Sequence, residues 1–340
     1  MRIPYRTRRL LQRVALILLT VLLAAALVYG LWFVWLQRFV VYTRDNGAIL
    51  DMSRPEEFAP GEVAVPPEDD FTVSIYYNEG ENAINTSKEL KQLVGYYADT
   101  EALQEDASAV LSQVKALPTG TPVMVDVKNP KGGFYYSSAV GADRSGSIDT
   151  AVMDEIIQHL KKSNMYAIAR LPALRDYAYG LNHVSDGLPT SGGYLWADDD
   201  YCYWLNPSSQ GTITYLIQIV TELRNLGFDE VVFENFYFPE TDRIVFHQDK
   251  NEAIAAAAKT LVSTCATDTF ALSFVGQTPA FPLPEGRSRL YLENVTAAEL
   301  TGVAQQSGVE ETETRLVFLT EVHDTRFDVY SVLRPLSAAH

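Results

Sequence analysis

The stretch GFDEVVFENFYFP, Gly227–Pro239, decides the fold of this chain. Its centre, Val231–Phe233, is short, apolar and rich in β-branched and aromatic residues, a composition typical of a strand buried in a parallel sheet. Glu234 and Asn235 follow this strand directly. Because parallel α/β proteins bind ligands at the carboxyl ends of their strands, both side chains are candidates for a functional site. The alternative is that Glu234 only caps the strand or forms a salt bridge there.

Segments typical of strands and of helices alternate through most of the remaining chain. Strands are predicted at Leu93–Tyr97, Pro122–Val127, Tyr166–Leu171, Thr269–Val275, Arg289–Leu292, Leu316–Thr320 and Asp328–Leu333, with a further strand-like segment at Phe71–Tyr77. Helices are predicted at Glu101–Ala116, Ile148–Lys162, Gly211–Leu226, Glu252–Cys265 and Ala297–Gln306. Seven or eight such units over about 260 residues favour the α/β class and a (β/α)8 TIM-like barrel over an open sheet.

The N-terminus predicts one transmembrane helix ahead of the barrel. Val14–Leu36 is 23 residues long and uncharged, and at about 1.5 Å per residue it spans a bilayer core of roughly 30 Å. Five arginines precede it and two follow, which places the N-terminus in the cytoplasm and the rest of the protein outside the cell. A cleaved signal peptide is the alternative, with small residues at Ala24–Ala26. The predicted organisation is a cytoplasmic tail at 1–13, an anchor at 14–36, a tether and linker at 37–70 and an extracytoplasmic barrel at 71–340.

The chain beyond the predicted anchor is strongly acidic. No Asp or Glu precedes Asp45, whereas seven of the 27 basic residues do, so the remainder carries a formal charge of −23. This charge repels nucleic acid, which is therefore not expected as a partner. The expected partners are the lipid bilayer, through the N-terminal helix, and a saccharide.

No cofactor and no metal ion is predicted. No Gly-rich phosphate motif follows the early strands, and no Cys/His or His/Glu spacing matches a zinc site. The acidic turn Asp198–Asp200 has the oxygen ligands that calcium prefers, but a solvated turn is the simpler interpretation. Cys202 and Cys265 are far apart in the sequence, so a disulfide between them can be neither excluded nor deduced.

Ionisable residues follow several predicted strands, and a parallel barrel would collect them on one rim. Glycoside hydrolysis needs two carboxyl groups, about 5 Å or about 6.5–9.5 Å apart. We predict Glu234 as the nucleophile or base and Glu321 as the general acid, because they would face each other across the barrel mouth; Glu293 is the alternative partner. For each strand-end carboxylate the alternative is a rim salt bridge with Lys128 or Arg170. For Asp126 this is the simpler interpretation, because Lys128 lies two residues further on the same strand face.

The connection Tyr177–Pro207 is long for a β/α loop and rich in aromatic residues, and such loops are mostly functional. Because flat aromatic faces stack on sugar rings, we predict Trp196, Trp204 and Tyr237 as stacking platforms. The alternative is a folded lid with its own aromatic core. The full predicted substrate-binding set is Asp126, Lys128, Arg170, Asp176, His183, Trp196, Trp204, Asn206, Asn235, Tyr237 and Glu293.

Four segments together resemble a family of glycosyl hydrolase barrels that occur as membrane-anchored or secreted domains in bacteria. They are VMVDVKNPKGGFYYSS (Val123–Ser138), MYAIARLPALRDYA (Met165–Ala178), YLWADDDYCYWLNP (Tyr194–Pro207) and GFDEVVFENFYFP (Gly227–Pro239). The resemblance covers roughly residues 90–335. It implies a TIM barrel related to α-amylase-like hydrolases and an action on polysaccharide.

Two positions depart from the residues usual in that family. Glu234 stands where the family has Asp, and Tyr237 stands where it has Arg. The first change moves the carboxylate outward by about one bond, and the second removes a planar cation, so both affect the catalytic geometry. Two alternatives therefore remain open: a carbohydrate-binding barrel without turnover, and a scaffold domain of an envelope complex.

Overall fold

The computed structural model describes residues 40–43, 47–50, 90–141, 147–276 and 282–339. The predicted anchor Val14–Leu36 and the strand-like segment Phe71–Tyr77 lie outside these residues. In the described ranges we find no helix with the length and apolar character needed to cross a membrane. The chain divides into two units, Met1–Glu79 and Gly80–His340. In the first unit, Val40–Thr43 pairs antiparallel with Gly47–Leu50.

The second unit is a closed barrel of eight parallel strands. They are β1 Val94–Ala98, β2 Pro122–Asp126, β3 Tyr166–Pro172, β4 Glu230–Glu234, β5 Ala271–Val275, β6 Leu290–Glu293, β7 Leu316–Leu319 and β8 Ser331–Pro335. Each strand pairs with the next one along the chain, and β8 pairs with β1 to close the barrel. The predicted (β/α)8 barrel is confirmed, and these strands begin and end within three residues of the predicted bounds.

Helices connect the strands and surround the barrel. They are α1 Thr100–Ala116, α2 Thr150–Lys162, α3 Tyr177–Asn182, α4 Gln210–Leu226, α5 Lys250–Cys265, α6 Leu300–Gln306 and α7 Thr312–Arg315. Side chains that accept hydrogen bonds from the first turn begin five of them, as the composition of helix N-caps requires: Asp99, Asp149, Asp176, Ser209 and Asp249. At the C-terminal end of α4, Gly227 has φ +105°, a conformation that favours glycine.

The side chains inside the barrel lie in layers, because alternate residues of a strand point to the same face. The middle layer is one buried apolar cluster that includes Met124, Ile168, Val232 and Tyr291. Two residues earlier on three of these strands lie Tyr166, Glu230 and Arg289, which form a buried hydrogen-bonded group around the Glu230–Arg289 ion pair. Two residues later, at the carboxyl ends, lie Asp126, Arg170, Glu234 and Glu293. The strand period therefore brings four charged groups to one end of the barrel.

Candidate active site

A cavity of about 850 Å³ opens at the carboxyl ends of the strands, where TIM barrels hold their active sites. Three ionisable side chains from the strand ends line it: Arg170, Glu234 and Glu293. Tyr97 of β1 and Glu321, which comes just after β7, line it as well. Both carboxylates that we predict as the catalytic pair, Glu234 and Glu321, are thus in one cavity.

Arg170 joins two carboxylates at the floor of this cavity. Its Nε and Nη2 donate to Asp126 at 2.6 and 3.1 Å, and its Nη1 donates to Glu293 at 2.6 Å. Asp126 also accepts from the backbone N–H of Thr100 at 2.7 Å and from its hydroxyl at 2.8 Å. Four hydrogen bonds leave Asp126 little capacity for a substrate. The rim salt bridge expected for Asp126 is present, but its partner is Arg170 rather than Lys128.

Glu234 lies at the end of β4 and, unlike its charged neighbours, has no fixed partner among the described residues. Burial raises the pKa of its carboxyl group; Arg170 opposes this rise, while Asp126 and Glu293 add to it. In the described part of the chain this carboxyl group takes part in no hydrogen bond or ion pair. Glu234 therefore combines a raised pKa with a carboxyl group free to transfer a proton.

The two strand-end glutamates that line the cavity share a local backbone conformation. Each is followed by an asparagine in the left-handed region, Asn235 at φ +52° and Asn294 at φ +57°. A residue other than glycine in this region costs on the order of 1 kcal/mol, and such strain concentrates at functional sites. The side-chain Oδ1 of Asn235 is also buried without a hydrogen-bond partner among the described residues. The repeated Glu-Asn pair thus marks Glu234 and Glu293 as structurally equivalent.

Glu321 lies in the outer part of the same cavity, in the segment that follows β7. Its side chain is exposed, and it takes part in no hydrogen bond among the residues that the structure describes. Nearby in the lining, Arg326 is paired with Asp324, through Nη2 at 2.7 Å and through Nε at 3.0 Å. Glu321 is three strands from β4 around the barrel, whereas Glu293 is only two strands away.

Lys128 and Asp176 form a buried ion pair outside the cavity lining. Their charged atoms are 2.9 Å apart, and their side chains are only 1% and 0% exposed. Asp176 also accepts from the Tyr215 hydroxyl at 2.8 Å and from the backbone N–H of Tyr179 at 2.8 Å, which caps α3. The sequence predicts both residues as substrate-binding, but their burial does not support this role. Their contacts show that they anchor α3 instead.

The aromatic loop before α4 has a packed interior of its own. Trp204 is 4% exposed, and its Nε1 donates to Asp198 at 2.9 Å. Its ring lies 5.0 Å from that of Tyr237, which is 44% exposed, and 6.3 Å from that of half-buried Trp196. This arrangement matches the alternative of a lid with its own aromatic core. Trp204 has no free face for a sugar, whereas Tyr237 and Trp196 are partly accessible, outside the lining of the large cavity.

The acidic turn of this loop is held by a cation of the chain. Arg175 donates to Asp198 and to Asp200, each at 2.6 Å. Burial acts to raise the pKa of Asp198, but the bonds from Arg175, from the Cys202 backbone N–H and from Trp204 lower it to about 2. No group of His, Cys, Asp or Glu within the described ranges is arranged to hold a metal ion. The turn therefore serves to shape the loop.

The two remaining predicted residues of this loop have local structural contacts. His183 ends α3, is exposed, and stacks on Tyr179 at 4.2 Å between ring centroids. Asn206 accepts from the backbone N–H of Ser208 at 2.9 Å and so shapes the turn before α4. Neither lines the cavity. Cys202 and Cys265 are both buried and free.

Two residues of the site were not selected from the sequence. Thr100 binds Asp126 through its backbone and its hydroxyl, a contact for which the sequence carries no signal. Tyr97 lines the cavity from β1. For Tyr97 a signal was present, because Leu93 and Tyr97 lie on the same face of a predicted strand that ends at the rim.

Comparison with known proteins locates the chain within one family. A family model described as "Putative glycosyl hydrolase domain" matches residues 96–269, about half of the chain. This match includes Asp126, Arg170 and Glu234 and ends before Glu293. A comparison with curated proteins found no match.

Solved structures with a similar fold are distant in sequence. A hypothetical protein from Ruminiclostridium thermocellum is 21% identical over 53% of this chain and 96% of its own, with a TM-score of 0.44. The glycoside hydrolase domain of PelA from Pseudomonas aeruginosa is 12% identical over 73% and 95%, with a TM-score of 0.45. An α-galactosidase from Lactobacillus brevis is 8% identical over 73% and 38%, with a TM-score of 0.48. Similarity at this level gives no information about the activity of this chain. It is the family match, together with the observed barrel, that confirms the resemblance: the chain belongs to the family described as a putative glycosyl hydrolase domain.

Proposed function

We propose that this protein is a glycoside hydrolase that cleaves an oligosaccharide or polysaccharide in the cavity at the barrel mouth. The observation that carries the proposal is the pair of strand-end carboxyl groups in this cavity. Glu234 is desolvated and unpaired within the described chain, whereas Glu293 is ion-paired with Arg170. Glycoside hydrolysis requires two such carboxyl groups, one as general acid and one as nucleophile or base.

Glu234 is the general acid in this proposal. Burial raises its pKa, which keeps its carboxyl group protonated to higher pH than an exposed glutamate. The sequence alone predicts Glu321 as the acid and Glu234 as the nucleophile or base. Because Glu234 is desolvated and Glu321 is exposed, we assign the acid role to Glu234 instead.

Glu293 is the charged partner in this proposal. Strands of a barrel are about 4.8 Å apart and tilted, so strand ends two positions apart lie roughly 10 Å apart and those three positions apart roughly 14 Å. Glu234 and Glu293 line the same cavity, and the mechanism requires their carboxyl groups to lie about 5 Å or about 6.5–9.5 Å apart. Glu321 is the alternative partner, since it lines the same cavity.

The proposed reaction uses the Glu234 and Glu293 carboxyl groups in turn. Glu234 gives its proton to the glycosidic oxygen as the bond from this oxygen to the anomeric carbon breaks. The Glu293 carboxylate either attacks the anomeric carbon or takes a proton from a water molecule that attacks it. In the first case, water later releases the sugar from Glu293, and Glu234 accepts the proton of this water. Arg170 holds Glu293 in place throughout.

Substrate contacts outside the cavity are proposed for the accessible aromatic side chains. Tyr237 and Trp196 are partly exposed and lie in one aromatic cluster with the buried Trp204. They offer apolar faces to the sugar units that extend beyond the scissile bond. Asn235, next to Glu234, has an unsatisfied acceptor among the described residues and is proposed to contact a sugar hydroxyl after a side-chain rearrangement.

We place this activity outside the cell, on a membrane-anchored protein, on the basis of the sequence alone. The uncharged segment Val14–Leu36 and the arginines before it support the proposal. Labelling of an introduced C-terminal cysteine in intact cells by a membrane-impermeant reagent tests the orientation. Labelling only after cell lysis would contradict it.

The test of the activity uses the full-length protein, a panel of α- and β-linked oligosaccharides, and three variants. We expect the wild type to release reducing ends and Glu234→Gln and Glu293→Gln to lose about 10²–10⁴-fold in rate. Glu321→Gln distinguishes the two candidate partners: it is expected to stay within a few-fold of the wild type, and a loss as large as that of Glu234→Gln would assign the partner role to Glu321 instead. Unchanged hydrolysis by Glu234→Gln would remove the mechanism. A wild type that binds the oligosaccharides without cleaving them would establish the alternative of a carbohydrate-binding barrel.

A further inference from the structure

Tyr97 is a cavity residue to which the proposed mechanism assigns no role. It lies near the carboxyl end of β1 and pairs through its backbone with Met124 of β2 and Pro335 of β8. Its side chain packs on the buried cluster inside the barrel and lines the cavity. The preceding residue, Tyr96, packs on the opposite face of the strand, against the cluster between barrel and helices. Because successive side chains of a strand point to opposite faces, Tyr97 lies inside the site and Tyr96 lies outside it.

The hydroxyl of Tyr97 is unpaired among the described residues, and Tyr97 shares its cavity with charged groups of the site. This hydroxyl makes no hydrogen bond with any residue in the described part of the chain. Burial raises the pKa of its phenol, and Asp99, Glu321 and Glu293 raise it further, whereas Arg170 lowers it. The phenol therefore keeps its proton and remains a hydrogen-bond donor.

The guanidinium donors of the cavity are already bound to carboxylates of the chain. Ionised carboxylates accept hydrogen bonds but cannot donate them. The guanidinium of Arg170 is bound to Asp126 and Glu293, and that of Arg326 is bound to Asp324. Each hydroxyl of a sugar has lone pairs that need a donor as well as a proton that needs an acceptor. Tyr97 supplies a donor that no described residue occupies.

We propose that Tyr97 contacts the substrate directly, donating a hydrogen bond from its Oη to an oxygen of the sugar unit bound between Glu234 and Glu293. This inference rests on the proposed function, because it needs a saccharide in the cavity. Tyr97 lines the same cavity as Arg170, Glu234 and Glu293, so its hydroxyl is available to a sugar bound there. A site that donates a hydrogen bond to a substrate oxygen discriminates against an analogue without that oxygen.

The test compares Tyr97→Phe with the matched control Tyr96→Phe. Each removes one hydroxyl and keeps the ring, on opposite faces of one strand. Binding of cellotetraose, maltotetraose and chitotetraose is measured by calorimetry on full-length protein that carries Glu234→Gln, so that no substrate is consumed. For a tetraose that binds, we expect Tyr97→Phe to increase the dissociation constant about 10- to 100-fold. Tyr96→Phe should change it less than twofold. Equal affinities in the two variants would overturn the proposal.

A second measurement serves if Tyr97→Phe alters the fold. Protein labelled with ¹³C at tyrosine Cζ gives one signal for Tyr97, assigned by single-site labelling of this residue. We expect this signal to shift when the bound tetraose is added, and an unchanged signal at saturation would contradict the contact.

The outcomes separate this inference from the proposed function. A wild type that binds a tetraose without cleaving it contradicts the hydrolase, yet the affinity of Tyr97→Phe still decides the role of Tyr97. Cleavage by the wild type with unchanged kcat/KM in Tyr97→Phe supports the hydrolase and overturns the inference. If none of the three tetraoses binds, the proposed contact to a sugar of these classes is overturned.

Discussion

Arg170 and Glu293 are joined by a hydrogen bond of 2.6 Å although their strands are not neighbours. Arg170 is on β3 and Glu293 is on β6, with β4 and β5 between them in the barrel. The bond therefore crosses the mouth of the barrel, and Glu234 at the end of β4 lies between the two strands. Because the Arg170 side chain is only 10% exposed, this contact is part of the floor of the cavity.

The first prediction concerns the fork of this guanidinium. Arg170→Lys keeps the positive charge but cannot bind Asp126 through two nitrogens and Glu293 through a third. We expect kcat/KM for the cleaved oligosaccharide to fall about 10²–10³-fold, because small displacements of a reacting carboxylate have effects of this size. Arg326→Lys, in the same cavity but paired only with Asp324, is the control and should stay within a few-fold of the wild type. Equal losses in both variants would show that the fork has no special role.

The second prediction concerns the pH dependence of hydrolysis. The proposed acid is active when protonated, and burial raises the pKa of Glu234, so activity should persist above the usual titration range of glutamate, near pH 4.3, and fall as the pH rises through the raised pKa. Because Arg170 opposes this rise, Arg170→Gln should move the alkaline limb of kcat/KM to still higher pH. An alkaline limb near pH 4.3 in the wild type would show that Glu234 is not the acid.

The charged layer of the site could be predicted from the sequence because it follows from strand period alone. Once β3, β4 and β6 are recognised as strands, alternation places Arg170, Glu234 and Glu293 on one inner face, at the end where ligands bind. The salt bridge predicted for Asp126 is also present, and of its two predicted partners, Lys128 and Arg170, it is Arg170 that forms it. Lys128 follows Asp126 by two residues, the spacing of one strand face. It lies beyond the last residue of β2, however, where strand alternation no longer determines which way a side chain points.

The remaining assignments depend on contacts between distant parts of the chain, which composition does not reveal. The pairing of Lys128 with Asp176 depends on how the connection after β2 packs against the start of α3. Trp204 has the composition of a stacking platform, yet its backbone bridges to Arg175 and its indole bonds to Asp198, so that it is buried. Aromatic residues suit both a sugar platform and a loop interior, so only their exposure separates the two.

The third prediction tests the structural role of the buried ion pair. Lys128→Met leaves the Asp176 charge buried without its cation, so we expect the free energy of unfolding in urea to fall by about 3–5 kcal/mol. The double variant Lys128→Met/Asp176→Asn removes both charges and should recover part of this loss. Lys115→Met breaks an exposed ion pair with Glu155 and should leave the stability close to that of the wild type. Lys128→Met with normal stability but lost saccharide binding would restore the role predicted from the sequence.

The fourth prediction concerns Asp229, just before β4. Burial raises its pKa from 3.8 to about 6, against the effect of a hydrogen bond from the Ala167 backbone N–H. Since the folded-state pKa is above the unfolded one, the protonated form stabilises the fold, and this contribution is lost as the pH rises from about 4 through about 6. Asp229→Asn keeps the acceptor without the charge, so it should be roughly 1–2 kcal/mol more stable than the wild type at pH 8 and equal to it at pH 4. Urea unfolding at the two pH values measures this, and a difference that does not change with pH would contradict it.

The last prediction returns to the turn that begins the stretch GFDEVVFENFYFP. Gly227 ends α4 at φ +105°, and an added Cβ would lie 2.7 Å from Cδ of Lys161. The lysine side chain can move away, but the left-handed backbone remains unfavourable for alanine, so Gly227→Ala should lower the free energy of unfolding by about 1–2 kcal/mol. Gly302 in α6 has an ordinary helical backbone and nothing within 4 Å of an added Cβ, so Gly302→Ala should raise it by about 0.5–1 kcal/mol. Urea unfolding of both variants measures these changes in the free energy of unfolding. Opposite signs for the two Gly→Ala changes would show that the strain lies in the turn before β4, whereas a stabilised Gly227→Ala would contradict it.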